Sequence, residues 1–277
     1  MKVLQQIKWE QKQFWRNPAA AVFTFVFPLM FLLIFSSLYG NDRIDQLGGI
    51  KFVQQYVPAI IAFGLISACY TNLAFTLSLR RSQGILKRKR GTPLSVFTYM
   101  GGIIGNVTII AALLTVVTII VGIVVFGIQF PQFGTRVFTL VVDLLVGAFC
   151  FSACGIMVAN IVPNEEAAPA IINIILFPLL FISGAFSYVK SDTALAKVAA
   201  FFPVRHLILA CQSVFLPPPQ VRGAGWEPRH LVIMLAWGVG AALLAARSFK
   251  WEPSSGGSGG GARRSRSRRG QPQPTSP

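Results

Sequence analysis

Residues 99–127 read YMGGIIGNVTIIAALLTVVTIIVGIVVFG, an almost continuously apolar stretch without a charged residue. A helix that crosses a bilayer needs about 20 such residues, because the hydrocarbon layer is about 30 Å thick and each residue rises about 1.5 Å. The stretch is therefore long enough to span a membrane with some tilt.

Five further stretches have a similar character, at 19–39, 57–79, 137–162, 168–189 and 230–249. The last is the weakest, because Arg247 must extend along the helix to reach water. Residues 194–215 are only partly apolar, and Lys197, Pro203 and Arg205 interrupt them. We expect an outer segment at about 190–220 that enters the membrane or lies on it without crossing. The sequence thus predicts an all-α polytopic membrane protein with six spans within residues 19–252.

The composition supports this class. The chain is 53% hydrophobic and only 12% charged, whereas soluble domains carry about 25% charged residues. A soluble globular enzyme and a disordered chain are therefore not the first interpretation. The 25 Lys and Arg residues outnumber the 9 Asp and Glu residues and lie in short blocks between apolar runs. Three blocks, in 2–16, 80–90 and 247–269, fall on one side of the membrane, so the positive-inside rule places both termini in the cytoplasm.

The two ends of the chain differ from the spans. Residues 1–18 predict an amphipathic helix on the membrane surface, because Val3, Leu4, Ile7, Phe14 and Trp15 share an arc of about 120°. Residues 253–277 have too few apolar residues to fold and predict a flexible cytoplasmic tail. Its arginines are suited to anionic lipid, and we expect no nucleic-acid partner.

A cationic loop, RRSQGILKRKRGTPL at 80–94, joins the second and third spans. Thr92 followed by Pro93 predicts a helix start, with a hydroxyl N-cap and proline at the first helical position. Gly91 would permit the turn before it. A short helix between two spans is suited to transmitting a movement of a cytoplasmic partner to the membrane-spanning helices. The alternative is a charge cluster that only sets the topology.

This loop resembles the cytoplasmic loop of ABC type-2 exporter permeases, the membrane subunits of bacterial ABC transporters, in which Arg-Gly-Thr-Pro-Leu recurs. Other landmarks of that family follow in the same order: NP at 17–18, NEEA at 164–167, FPL at 177–179, FISGAF at 181–186 and FPVRH at 202–206. The resemblance covers roughly residues 5–250 and is strongest for the drug-exporter-like group.

The resemblance implies a subunit that pairs with a second permease subunit, as a homodimer or a heterodimer, and with a separate cytoplasmic ATPase that binds ATP and Mg. It implies that loop 80–94 and the loop 163–167 contact the ATPase, with the N-terminal helix beside it. The implied coupling residues are Arg81, Gly84, Leu86, Lys87, Arg88, Arg90, Gly91, Thr92, Pro93, Glu165 and Glu166. The two glutamates could equally be simple charges at a helix N-terminus. Export from a bacterial cell membrane follows only from the resemblance.

The sequence itself supports the interpretation that ATP is hydrolysed by another protein. A P-loop needs G-x-x-x-x-G-K-[ST] to hold phosphates, and no Gly-Lys pair occurs in the chain. We therefore expect a transporter subunit without a cofactor of its own, and not an enzyme. An intramembrane enzyme and a self-powered carrier are the alternatives, but residues 181–184 lack the leading glycine of a Gly-x-Ser-Gly nucleophile and buried charges are few. Amphiphilic drugs, lipids and lipid-linked glycans all suit an apolar pathway.

Polar residues inside the spans are candidates for that pathway. Asp143 is the only acidic residue in a predicted span, where it costs about 2.5–3.5 kcal/mol to insert. Asn72, Asn106 and Asn173 are further candidates, with hydrogen bonds between helices as the alternative. We expect Cys150 and Cys154 to be buried thiols rather than a metal site. His206 and His230 are expected near the outer face and have no partner that the sequence reveals.

Overall fold

The computed structural model of the chain describes residues 2–45, 48–91, 95–129, 134–186, 189, 193–216 and 225–248. These residues are helical apart from short connections and one pair of two-residue strands, Arg43–Ile44 (β1) and Ile50–Lys51 (β2). The prediction of an all-α polytopic membrane protein is confirmed. The predicted tail at 253–277 lies outside the described residues.

Eleven α-helices are present in the described ranges. They are α1 (Lys2–Trp15), α2 (Pro18–Tyr39), α3 (Phe52–Ile66), α4 (Leu73–Ser82), α5 (Ile85–Arg90), α6 (Val96–Phe126), α7 (Thr135–Ile161), α8 (Ala168–Ser183), α9 (Ala194–Ala199), α10 (Pro203–Phe215) and α11 (Pro228–Ser248). A π-helical segment, Ser67–Asn72, joins α3 to α4, so that both form one continuous helix of 31 residues.

Five helices are long and apolar enough to cross a membrane: α2, the continuous α3–α4 helix, α6, α7 and α11. The predicted fifth crossing at 168–189 differs, because α8 has only 16 residues and ends at Ser183. A helix of that length rises about 24 Å, less than the hydrocarbon thickness of about 30 Å. The helix stops at Gly184, which has a left-handed φ of 87°, a conformation that glycine adopts without penalty.

The core of the bundle is the α3–α4 helix, the most deeply buried of the five. It packs against α2, α6, α7 and α10, and α11 covers the other side of α7. Almost every residue of α10 is buried, including Arg205 and His206. The partly apolar outer segment therefore folds as two short helices, α9 and α10, and α10 fills space inside the bundle rather than crossing it.

The outer segment is fastened to α11. His206 and His230, for which the sequence suggests no partner, face each other with their Nδ1 atoms 2.8 Å apart, and His206 Nε2 lies 2.8 Å from the carbonyl oxygen of Ala200. Trp237 Nε1 donates to the carbonyl of Phe201 at 2.8 Å.

The N-terminal helix α1 packs along the start of α6, where Gly102 and Gly105 leave room for Gln6 and Ile7. Of the predicted apolar arc, Phe14 is buried against the bundle, whereas Leu4 and Trp15 are exposed on the surface of the protein. That the exposed side of α1 lies on a membrane stays a prediction. The inward face also carries Glu10, whose carboxylate is held by hydrogen bonds inside the protein.

Candidate functional site

A buried charged cluster joins α1 to the end of α4. Arg80 donates from Nη2 to Glu10 Oε2 at 2.6 Å and from Nη1 to Glu10 Oε1 at 3.0 Å. Both side chains are about 95% buried. Arg80 also donates to Gln13 Oε1 at 3.0 Å and to Tyr99 Oη at 3.1 Å, and Gln6 donates to Glu10 at 2.8 Å. The bidentate ion pair therefore ties three helices, α1, α4 and α6, to one point.

The next two residues of α4 face the opposite way, toward the connection between α7 and α8. Arg81 is buried and donates from Nη2 to the carbonyl oxygen of Val162. Ser82 Oγ donates to Glu165 Oε2 at 2.6 Å. Two adjacent arginines thus fix the end of α4 to α1 and to the α7–α8 connection, and the side chain of Arg81 is buried between the two elements that it joins.

The turn after α4 depends on Gly84 rather than on Gly91. Gly84 has φ of 66° in the left-handed region, which an L side chain adopts at a cost of about 1–2 kcal/mol. Gly91 has an ordinary φ of −78°. The reversal at Gly84 ends α4 and starts α5, so it sets the direction in which the short helix leaves the bundle.

Helix α5 presents its cations outward and its apolar side inward. Leu86 is 1% exposed, whereas Lys87 and Arg88 are exposed. Arg88 bonds only to the carbonyl of Gln83, at 3.3 Å, among the contacts described for it. Lys89 lies over the ring of Tyr99, 5.5 Å from its centroid. The free cationic surface of the loop is therefore centred on Lys87 and Arg88.

The start of the next helix lies later than the sequence suggests. Thr92 and Pro93 lie outside the described residues, as does the side chain of Arg90. In the described chain α6 begins at Val96, and Ser95 Oγ caps it by accepting from the amide of Thr98 at 3.2 Å. A hydroxyl N-cap is present as expected, but Ser95 supplies it.

The two predicted glutamates of the α7–α8 connection behave differently. Both are exposed, but the structure describes a side-chain hydrogen bond only for Glu165, which accepts from Ser82. Neither lies in the first turn of α8, which has no acidic residue, and Asn164 Oδ1 accepts from the amide of Ala167 instead. Glu165 therefore acts as a link to α4 and not as a charge at the start of α8.

The predicted pathway residues do not form one site. Asn72 and Asn106 line the same cavity of about 230 Å³, between α1, α4 and α6, and each has an amide atom without a hydrogen-bond partner in the described part of the chain. Asp143 is buried elsewhere, close to Cys211 of α10. Asn173 is half-buried on α8. Only the first pair therefore shares a polar space.

The four cysteines are free and buried, in agreement with the expectation for Cys150 and Cys154. Within the residues that the structure describes, no group of three or more His, Cys, Asp or Glu side chains is placed to hold a metal ion.

Sequence reasoning missed Glu10 and did not select Arg80 for the site. A signal was present, because Glu10 is the only acidic residue before the first span. A carboxylate on the inward face of a helix is almost always paired when it is buried. Residues 80–90 contain six cations, and the sequence does not show which of them pairs with Glu10. Only the fold identifies Arg80 as that partner.

No curated protein matches the chain significantly. A family model described as "ABC-2 type transporter" matches residues 2–216. The matched region contains α1, the charged cluster, α5 and every helix up to α10. Because the match covers well over half of the sequence, the chain belongs to the ABC-2 type transporter family, as a membrane subunit that is not itself catalytic.

Proposed function

We propose that this chain is the permease subunit of an ATP-driven exporter and that α5 is the element through which a separate ATPase subunit acts on it. The observation that supports this most is the way in which α5 is attached to the rest of the bundle. Its exposed cations, Lys87 and Arg88, stand at the end of the most buried long helix, and Arg80 and Arg81 connect that end to two other parts of the bundle.

This attachment would allow a displacement of α5 to be transmitted to other helices. A displacement of α5 must move the end of α4, and the Glu10–Arg80 pair carries α1 and α6 with it. The contact between Ser82 and Glu165 carries the α7–α8 connection as well. Above these contacts lies the π-helical segment Ser67–Asn72, and such segments are frequent at functional sites within helices. We propose that the continuous helix bends at this segment, so that α4 can move while α3 stays in place.

The pathway would lie between two permease subunits, because one bundle supplies half of the pair that the family resemblance implies. ATP and Mg belong to the partner ATPase, since this chain has no P-loop. We further propose a bacterial cell membrane with both termini and α5 on the cytoplasmic side, an orientation that the cationic blocks support and that requires the segment containing the short α8 to return the chain across the membrane. We propose amphiphilic drugs, lipids or lipid-linked glycans as substrates, and Asn72 and Asn106 as the residues that line the path on the α1 side.

A charge reversal on α5 tests the proposal. The permease and the ATPase that co-purifies with it would be reconstituted, and ATP hydrolysis would be measured with and without the permease. We expect the K87E/R88E variant to lose the stimulation that the permease gives, because its exposed cationic surface is reversed while the buried contacts stay intact. The matched control R43E/K51E reverses two cations of the β-hairpin and should retain stimulation.

Full stimulation by folded K87E/R88E would contradict the assignment of α5. Transport by the purified chain without any ATPase would contradict the proposed function itself, because it would show that the permease needs no separate motor.

A further inference from the structure

A groove between α1 and α5 is not used by the proposed coupling contact. It measures about 510 Å³ and is lined mainly by Trp9, Lys12, Gln13, Arg16 and Lys89. This volume is in the range of about 300–1,000 Å³ that is usual for small-molecule sites. We call it the α1–α5 groove. Its described lining comes from α1 and the residue that follows it, Arg16, apart from Lys89, which α5 contributes from the facing side.

The groove is strongly cationic. Lys12, Arg16 and Lys89 contribute three positive charges, and Glu10 is the only carboxylate among the described residues that line it. Both oxygens of Glu10 are already bound by Arg80. The carboxylate therefore does not neutralise the three cations, and the groove is suited to a ligand with a negative charge.

The position of the groove indicates where that charge comes from. Arg16 lies two residues before Pro18, where α2 begins its passage through the membrane, and Lys12 lies one helical turn earlier. Both side chains are thus held near the depth of the lipid headgroups. Trp9, which is 66% exposed, and Trp15, which is 51% exposed, lie on the same helix, and tryptophan is enriched at that depth.

We propose that the α1–α5 groove binds the phosphate of an anionic phospholipid from the leaflet that α1 faces. Lys12 and Arg16 would contact the phosphate from α1, and Lys89 would contact it from α5. The acyl chains would lie along the exposed apolar side chains of α1. The bound phosphate would join α1 to α5 by a second link beside the Glu10–Arg80 pair. This inference does not depend on the ATPase or on the direction of transport.

Binding of short-chain lipids to the full-length protein tests this inference. The protein in neutral detergent would be titrated with dioctanoyl phosphatidylglycerol, dioctanoyl phosphatidylcholine, inorganic phosphate and a glutamate-rich peptide. Tryptophan fluorescence is a suitable readout because Trp9 lines the groove. We expect saturable binding of phosphatidylglycerol, and clearly weaker responses to the other three probes.

Substitutions distinguish binding in the groove from non-specific attraction of the lipid to the positive charge of the protein. The K12Q/R16Q/K89Q variant should bind phosphatidylglycerol about 100-fold more weakly, which is about 5-fold for each cation removed. The matched variant K2Q/K8Q/K51Q also loses three cations, but none of them lines the groove, so it should bind as the natural chain does. A variant with glutamine in place of the five tail arginines should do the same.

Several results would overturn the inference. Unchanged binding by the groove variant, or equal loss in the matched variant, would show that the groove is not the site. Equal affinity for inorganic phosphate would identify a free anion as the ligand, and preference for the peptide would identify a protein segment. Should the triple variant fail to fold, K12Q, R16Q and K89Q tested singly must each weaken binding, and unchanged binding in all three would refute the proposal.

Discussion

At the scale of single residues, the pair Glu10 and Arg80 has the largest structural consequence. Each would be an uncompensated charge without the other, since both are about 95% buried. Removing one partner of a buried ion pair costs about 3–5 kcal/mol, whereas replacing both with well-packed hydrophobic residues often changes the stability little. The pair is therefore a sensitive point for the attachment of α1.

We predict that Glu10→Gln lowers the free energy of unfolding by about 3 kcal/mol, because the Arg80 guanidinium loses its counter-charge inside the protein. The double variant E10Q/R80Q should recover at least about 1 kcal/mol of that loss, since neighbouring residues in one network are not additive. Thermal unfolding of the purified protein in detergent measures both values.

Glu227→Gln is the matched control for this prediction. Glu227 is half-exposed and lies 4.0 Å from His230, and exposed pairs contribute about 0–1 kcal/mol. If Glu10→Gln were as mild as Glu227→Gln, the buried cluster would not hold α1 in place.

At the scale of helices, close packing positions α1 on α6. A Cβ atom added at Gly102 would lie 2.1 Å from Cγ and 2.7 Å from Cβ of Gln6. We predict that Gly102→Leu destabilises the protein by about 1–3 kcal/mol and increases amide hydrogen exchange in α1, because the two helices must separate. Hydrogen exchange followed by mass spectrometry reports the second effect for α1 alone.

Gly240 on α11 provides the comparison, because nothing lies within 4 Å of a Cβ atom added there. Gly240→Leu should leave hydrogen exchange in α1 unchanged. Faster exchange in α1 for both variants would mean that general loss of stability, and not the contact with α6, explains the first result.

The helices also show how far the sequence predicts the fold. Residues 99–127 are so continuously apolar that α6 follows from their composition alone. The shortness of α8 does not, because Gly184 interrupts a run that stays apolar on both sides. Likewise, the apolar arc of α1 does not reveal that Glu10 faces the bundle, where the ion pair with Arg80 holds it. Local patterns reveal spans, but contacts between distant residues decide orientation.

At the scale of the whole molecule, the elements around the end of α4 form one connected unit. Arg80 binds α1 and α6, Arg81 and Ser82 bind the α7–α8 connection, and α5 projects its cations from the same point. The family resemblance identified the loop 80–94, but it assigned Arg81 to a partner contact. The structure places that side chain inside the molecule, so among the side chains of the loop that the structure describes, Lys87 and Arg88 are the exposed cations best placed to meet a partner.

The central claim is that a separate nucleotide-hydrolysing protein contacts α5. Photo-crosslinking in cells from a reactive amino acid at position 87 tests this claim most directly, with position 51 on the β-hairpin as the comparison. We predict that the adduct from position 87 contains a P-loop ATPase and that position 51 gives no such adduct. The claim would be contradicted if position 87 gave no ATPase adduct, or if a reagent that cannot cross the membrane labelled position 87 from outside the cell.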